Sequence, residues 1–142
     1  MMLRLHRGFS AFTLVEVLIV VIVLGILAAI VVPQFSSASQ DANLSSLTTN
    51  LQTIRTQIEL YKLQHNGSYP TLAGFGAQMT AGTLVDGTAG ADFGPYLLSI
   101  PNNPFSNVNT ITNEVAGAGK GWYYNEATGE FRANDSVAHR AL

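Results

Sequence analysis

From Val17 to Val32 the chain runs sixteen residues without one charged or hydrogen-bonding side chain, and a single carboxylate, Glu16, stands at the head of that run. Counted from Phe12 to Val32 the segment has 21 residues. As a helix rising ~1.5 Å per residue it would be about 31 Å long, close to the hydrocarbon thickness of a bilayer. An unpaired carboxylate there costs on the order of 2–3 kcal/mol or more, so Glu16 is a functional candidate that needs a partner. Past Pro33 the pattern becomes amphipathic. Leu44, Leu47, Leu51, Ile54, Ile58 and Tyr61 follow one another at spacings of 3, 4, 3, 4 and 3, one apolar stripe along a helix. Ser, Thr, Asn and Gln fill the other faces with Arg55, Glu59 and Lys62. The two patterns together predict one long helix from about Phe12 to His65, kinked near Pro33, where the missing N–H and the ring disturb the ladder. Its first half is an anchor and its second half the spine of a globular domain, on which the stripe packs. Asn66-Gly67 supplies the stop and Pro70 blocks continuation.

Beyond the helix the pattern loosens. Thr71 to Phe93 is rich in Gly, Ala and Thr and predicts a short helix followed by a flexible loop. Val108 to Val115, Gly121 to Tyr124 and Glu130 to Arg132 read as strands, and Asn125 to Gly129 is a five-residue hairpin turn. Period-2 alternation puts Trp122 and Tyr124 on one face and Tyr123 on the other. The expected fold class is α+β, a long kinked N-terminal helix packed on a small antiparallel sheet. Tyr69, Tyr96 and Phe105 are expected as core contacts, and Asn134 to Leu142 shows no clear pattern.

The first eleven residues change the picture of the apolar run. They carry Arg4, His6 and Arg7 and no acid, a flank that keeps this end cytoplasmic and sends the rest of the chain across. An ordinary secretory signal with Ser37-Ala38-Ser39 as cleavage site is the plain alternative, but the run is long for one and Glu16 would interrupt it without purpose. Without the leader the chain keeps five basic residues and nine acids, net −4, and shows no basic stripe for nucleic acid. Cys is absent, which removes disulfides and thiol chemistry. His6, His65 and His139 are isolated, and neither a phosphate loop nor a nucleophile elbow is present, so the chain reads as no enzyme.

Phe12-Thr13-Leu14-Val15-Glu16, preceded by a small residue and a basic leader, resembles the class III signal of type IV pilins and type II secretion pseudopilins. The resemblance implies cleavage by a prepilin peptidase between Ala11 and Phe12, N-methylation of Phe12, and Glu16 as the fifth mature residue. Pro33 falls 21 residues after Phe12, where the family often has proline. Ala11 stands where the family usually has Gly; Gly8-Phe9 is another Gly-Phe junction, but it would leave Glu16 eight residues in. Thr13 is assigned no role. Tyr61 to Thr71, with Asn66-Gly67 and Tyr69-Pro70-Thr71, is similar to the junction after the spine helix of major pseudopilins. Gly94 to Phe105 resembles their Ile-Pro, x-Asp-Pro-Trp segment, with Asn103 for the acid and Phe105 for the aromatic.

The resemblance implies a type IV pilin-like fold: residues 1–11 a cleaved leader, 12–33 a transmembrane and filament-core half-helix, and 34–142 a periplasmic domain whose spine ends near residue 65. It implies self-assembly into a homo- or hetero-filament that supports protein export from the inner membrane. The partners would be prepilin peptidase, membrane lipid, an inner-membrane assembly platform and a cytoplasmic ATPase. A type IV pilus subunit for adhesion, motility or DNA uptake is the alternative within the fold, and a non-assembling single-pass binding module the alternative outside it. Major pseudopilins commonly bind calcium in a C-terminal loop rich in Asp, Gly and Ser. Here Asp86, Asp92, Glu126 and Asp135 are scattered and read as solvated surface acids, so no metal ligand and no cofactor is carried over.

Overall fold

The structure, a computed structural model, describes residues 12–115 and 120–142. The chain divides into two compact units, Met1–Gln40 and Asp41–Leu142. Helix α1, Leu14–Gln64, runs as one element of 51 residues through both. In the first unit every side chain described between positions 12 and 40 is exposed. Leu14 is 83 % exposed and even Val31 is 43 % exposed, so this apolar surface has no partner among the described residues. Pro33 lies inside the helix bounds, and as a proline it offers no N–H to the ladder at that rung.

The second unit is the α+β part. It holds the remainder of α1, a short helix α2 (Phe75–Thr80), strands β1 (Ile111–Thr112), β2 (Trp122–Asn125) and β3 (Glu130–Ala133), and a terminal 3-10 turn, His139–Ala141. The stripe of α1 meets the sheet: Leu47, Leu51, Ile54, Ile58 and Tyr61 join Phe75 and Met79 of α2, Tyr96, and Trp122, Tyr124, Phe131 and Ala133 in one core. Leu44, the first residue of the expected stripe, is 41 % exposed, and His65 extends the stripe at its other end. The helix ends where Asn66 and Gly67 take positive φ, 55° and 84°, and the Gly67 N–H reaches back to the Lys62 carbonyl (2.9 Å).

The sheet is mixed, in the order β1-β2-β3. The β2–β3 hairpin is antiparallel, with Trp122 opposite Ala133 and Asn125 opposite Glu130; Asn125 thus belongs to β2, and the turn holds the four residues 126–129 rather than the expected five, closed by Gly129 at φ 74°. The first strand departs from expectation, pairing parallel with β2, Ile111 beside Trp122, and holding only two residues. Its neighbours are committed elsewhere. The Val108 carbonyl accepts the Asn103 N–H (2.9 Å), and Thr112 Oγ1 accepts the Glu114 N–H (3.1 Å), which turns the chain away. The stretch after α2 is also more tied than a free loop, since Thr83 exchanges both backbone bonds with Phe93.

Candidate functional site

The head of α1 is built from three residues. Thr13 is the N-cap: its carbonyl accepts the Val17 N–H (3.3 Å), the first intrahelical bond. Its Oγ1 accepts the Glu16 N–H (3.2 Å), a donor shared with the Thr13 carbonyl (3.1 Å). Thr13-x-x-Glu16 has the spacing of a capping box, a signal available in the sequence but not used there to assign Thr13. Glu16 therefore sits at the third helical position, in the first turn, where the partial positive charge of the helix end favours a carboxylate. It is exposed, as is Phe12 one turn earlier at 75 %. Phe12 precedes the N-cap, four residues before Glu16 in the chain. Ala11, like residues 1–10, lies outside the described residues. Glu16 thus stands in the first turn of the one helix among the described residues that is long and apolar enough to cross a membrane, and none of that apolar stretch is buried.

His65 is 1 % exposed, stacked on the Tyr61 ring at 3.6 Å. Its Nδ1 bonds the Tyr61 carbonyl (2.8 Å) and its Nε2 bonds Thr83 Oγ1 (3.0 Å), so both ring nitrogens are used in closing the helix end on the following loop. A concavity of about 440 Å³ lies between α1, β3 and the last residues, lined by Arg55, Glu59, Arg132 and Leu142 among others. Its cations are engaged within the domain: Arg55 Nε donates to the Phe131 carbonyl (2.9 Å) and Nη1 to the Leu142 carbonyl (2.9 Å), while Arg132 pairs with Glu130. Burial, with Arg132 nearby, lowers the Arg55 pKa from its usual value.

The four acids considered for a cation separate sharply. Asp86, Asp92 and Glu126 are exposed. Asp86 Oδ1 caps its own turn by accepting from the Thr88 N–H (3.0 Å) and hydroxyl (2.6 Å), and Glu126 Oε2 accepts the Leu72 N–H (2.6 Å). Asp135 is not the surface acid expected: its side chain is 7 % exposed. Asn103 Nδ2 donates to its Oδ1 (2.8 Å), and its Oδ2 meets His139 Nδ1 (2.5 Å). Calcium asks for about six to eight oxygens, several of them carboxylate. Among the described residues no three acidic or His side chains gather to hold a metal, and the one buried carboxylate faces nitrogen donors. The residues present do not fit a calcium site. The tail is likewise held, since Asn134 Nδ2 donates to the Glu114 carbonyl (3.0 Å) and the Asn134 N–H to that of Gly121 (3.2 Å). Phe105, expected in the core, is 37 % exposed and lies over the His139 ring at 4.1 Å.

Against known proteins, residues 5–32 match the Prokaryotic N-terminal methylation motif. Over 103 residues the chain is 35 % identical to the type II secretion system core protein G of Pseudomonas aeruginosa, covering 72 % of each chain. It is 33 % identical to the protein of the same name from Vibrio cholerae over 102 residues, 71 % of this chain and 68 % of the relative. With that of Aeromonas hydrophila it shares 30 % identity over 101 residues, 71 % of each. No solved structure matches it significantly.

Proposed function

Since the chain belongs to the family of type II secretion system core protein G, the major pseudopilins, we propose that it is a structural subunit of a secretion pseudopilus. Its relatives are structural pseudopilins and not enzymes. One observation carries the reading: the methylation motif, residues 5–32, covers the unburied apolar stretch of α1 with its single carboxylate in the first turn. In this reading residues 1–11 are a leader removed by prepilin peptidase, 12–33 anchor the chain in the inner membrane and later pack in the filament centre, and 34–142 form the periplasmic part. Cutting between Ala11 and Phe12 creates a cationic amine, then methylated, one helical turn from Glu16. The Glu16 carboxylate pairs with that amine on a neighbouring subunit. A charge pair in apolar surroundings tolerates a missing partner badly, so it sets the axial register between identical subunits. Pro33 gives the helix a bend between its two halves. An inner-membrane platform and a cytoplasmic ATPase draw the subunits from the lipid.

Replacement of Glu16 tests this. Glu16→Ala should lower the yield of crosslinked or sheared filament by roughly tenfold or more, because the amine is left unpaired in an apolar setting. Melting of the domain 41–142 within the full chain should not change, since Glu16 touches none of its core. Filaments that form normally in Glu16→Ala would overturn the pairing role of Glu16, and a wild-type chain that forms no filament would replace this reading with that of an anchored module that does not assemble.

A further inference from the structure

We infer that the C-terminal segment is clasped by the Asn103 amide without a cation, and that Asn103→Asp alone would turn the clasp into a divalent-cation site. Asn103 has no exposed surface. Its Nδ2 donates to the Gly121 carbonyl (3.0 Å) and to Asp135 Oδ1 (2.8 Å), while its Oδ1 accepts the Phe105 N–H (2.9 Å). These partners fix the orientation of the amide, because turning it over would set its oxygen against two other oxygens and its NH2 against a donor. One side chain thereby joins three places in the chain: the loop after Pro101, the entry to β2, and the tail.

Asp135 explains why a donor is needed there. A buried carboxylate must be hydrogen-bonded or paired, and Asp135 receives one donor on each oxygen, from Asn103 and from His139. His139 is itself held, since Ser136 Oγ accepts its backbone N–H (3.1 Å) and the Phe105 ring covers its imidazole. The Nδ2 group donates to both the Gly121 carbonyl and the Asp135 carboxylate, supplying the positive edge that those oxygens would otherwise need from a cation. A carboxylate at position 103 would bring two like charges to hydrogen-bond distance beside a carbonyl. Such a pair cannot stay ionised without a proton or a cation between the oxygens, and hard divalent cations favour oxygen sets of this kind.

The test uses the full chain in detergent micelles, with thermal unfolding followed by the fluorescence of Trp122, which is the single tryptophan, is fully buried and follows Gly121. The wild-type midpoint should be the same in EDTA and in millimolar calcium. Asn103→Asp should melt lower in EDTA by roughly 5–15 °C and recover most of that in calcium. Combining Asn103→Asp with Asp135→Asn returns an amide donor from the opposite side, so that variant should melt independently of calcium. A wild-type midpoint that climbs with calcium, and ceases to in Asp135→Asn, would overturn the inference. So would an Asn103→Asp protein that melts like wild type in EDTA or stays low in calcium. Should Asn103→Asp fail to fold in either condition, the combined variant decides: cation-insensitive folding supports the clasp, and failure to fold refutes it.

Discussion

The Tyr124 hydroxyl donates to the Pro70 carbonyl (2.8 Å) from a ring with no exposed surface, and burial raises its pKa well above the usual value for tyrosine. Burial raises Tyr61 and Tyr96 in the same direction. The unfolded chain releases these protons from about pH 10, whereas the folded one keeps them to higher pH. Stability is therefore fully present below about pH 10 and is lost as pH climbs beyond it. Tyr124→Phe should be less stable near neutral pH by about 1–2 kcal/mol, for the lost bond to Pro70, yet fall less steeply above pH 10 in denaturant titrations at stepped pH. An unchanged alkaline slope would assign the loss to other groups. Single residues were unevenly legible. Glu16 stood out because a charge in an apolar run has few innocent explanations, and Thr13 carried a capping signal beside it. Asp135 did not stand out, because its burial depends on Asn103, 32 positions away, and on the turn that presents His139.

Elements followed the same rule of distance along the chain. Helix α1 and the β2–β3 hairpin are local patterns, and both appear nearly as the spacing of apolar residues and the turn chemistry predict. The parallel pairing of β1 joins Ile111 to Trp122 across a connection whose course no short-range signal encodes. What the spine stripe does is decided by its burial. Ile54 is 0 % exposed in the centre of the core while Leu44 is 41 % exposed, though both belong to one 3-4 pattern. Ile54→Ala should cost about 2–5 kcal/mol and Leu44→Ala less than about 1 kcal/mol, read from denaturant midpoints of the full chain. Equal losses would mean that the stripe is buried along its whole length, as in a helix pair.

At the scale of the molecule the two units divide the work. In the domain 41–142 the stripe of α1 finds its partners in one core, and the tail is held by hydrogen bonds. The described residues of the helix ahead of residue 40 leave their apolar side chains exposed, as the proposed anchoring in lipid and later packing in a filament require. The proposal for the whole protein turns on how its N-terminus is made, since the pairing of Glu16 needs a free amine on Phe12. Mass spectrometry of the mature N-terminus from membranes, with and without active prepilin peptidase, reads that step directly. The account predicts an N-methylated Phe12 that disappears when the peptidase is inactive. A chain starting near Gln40, or one still carrying Met1 in the presence of the peptidase, would contradict it.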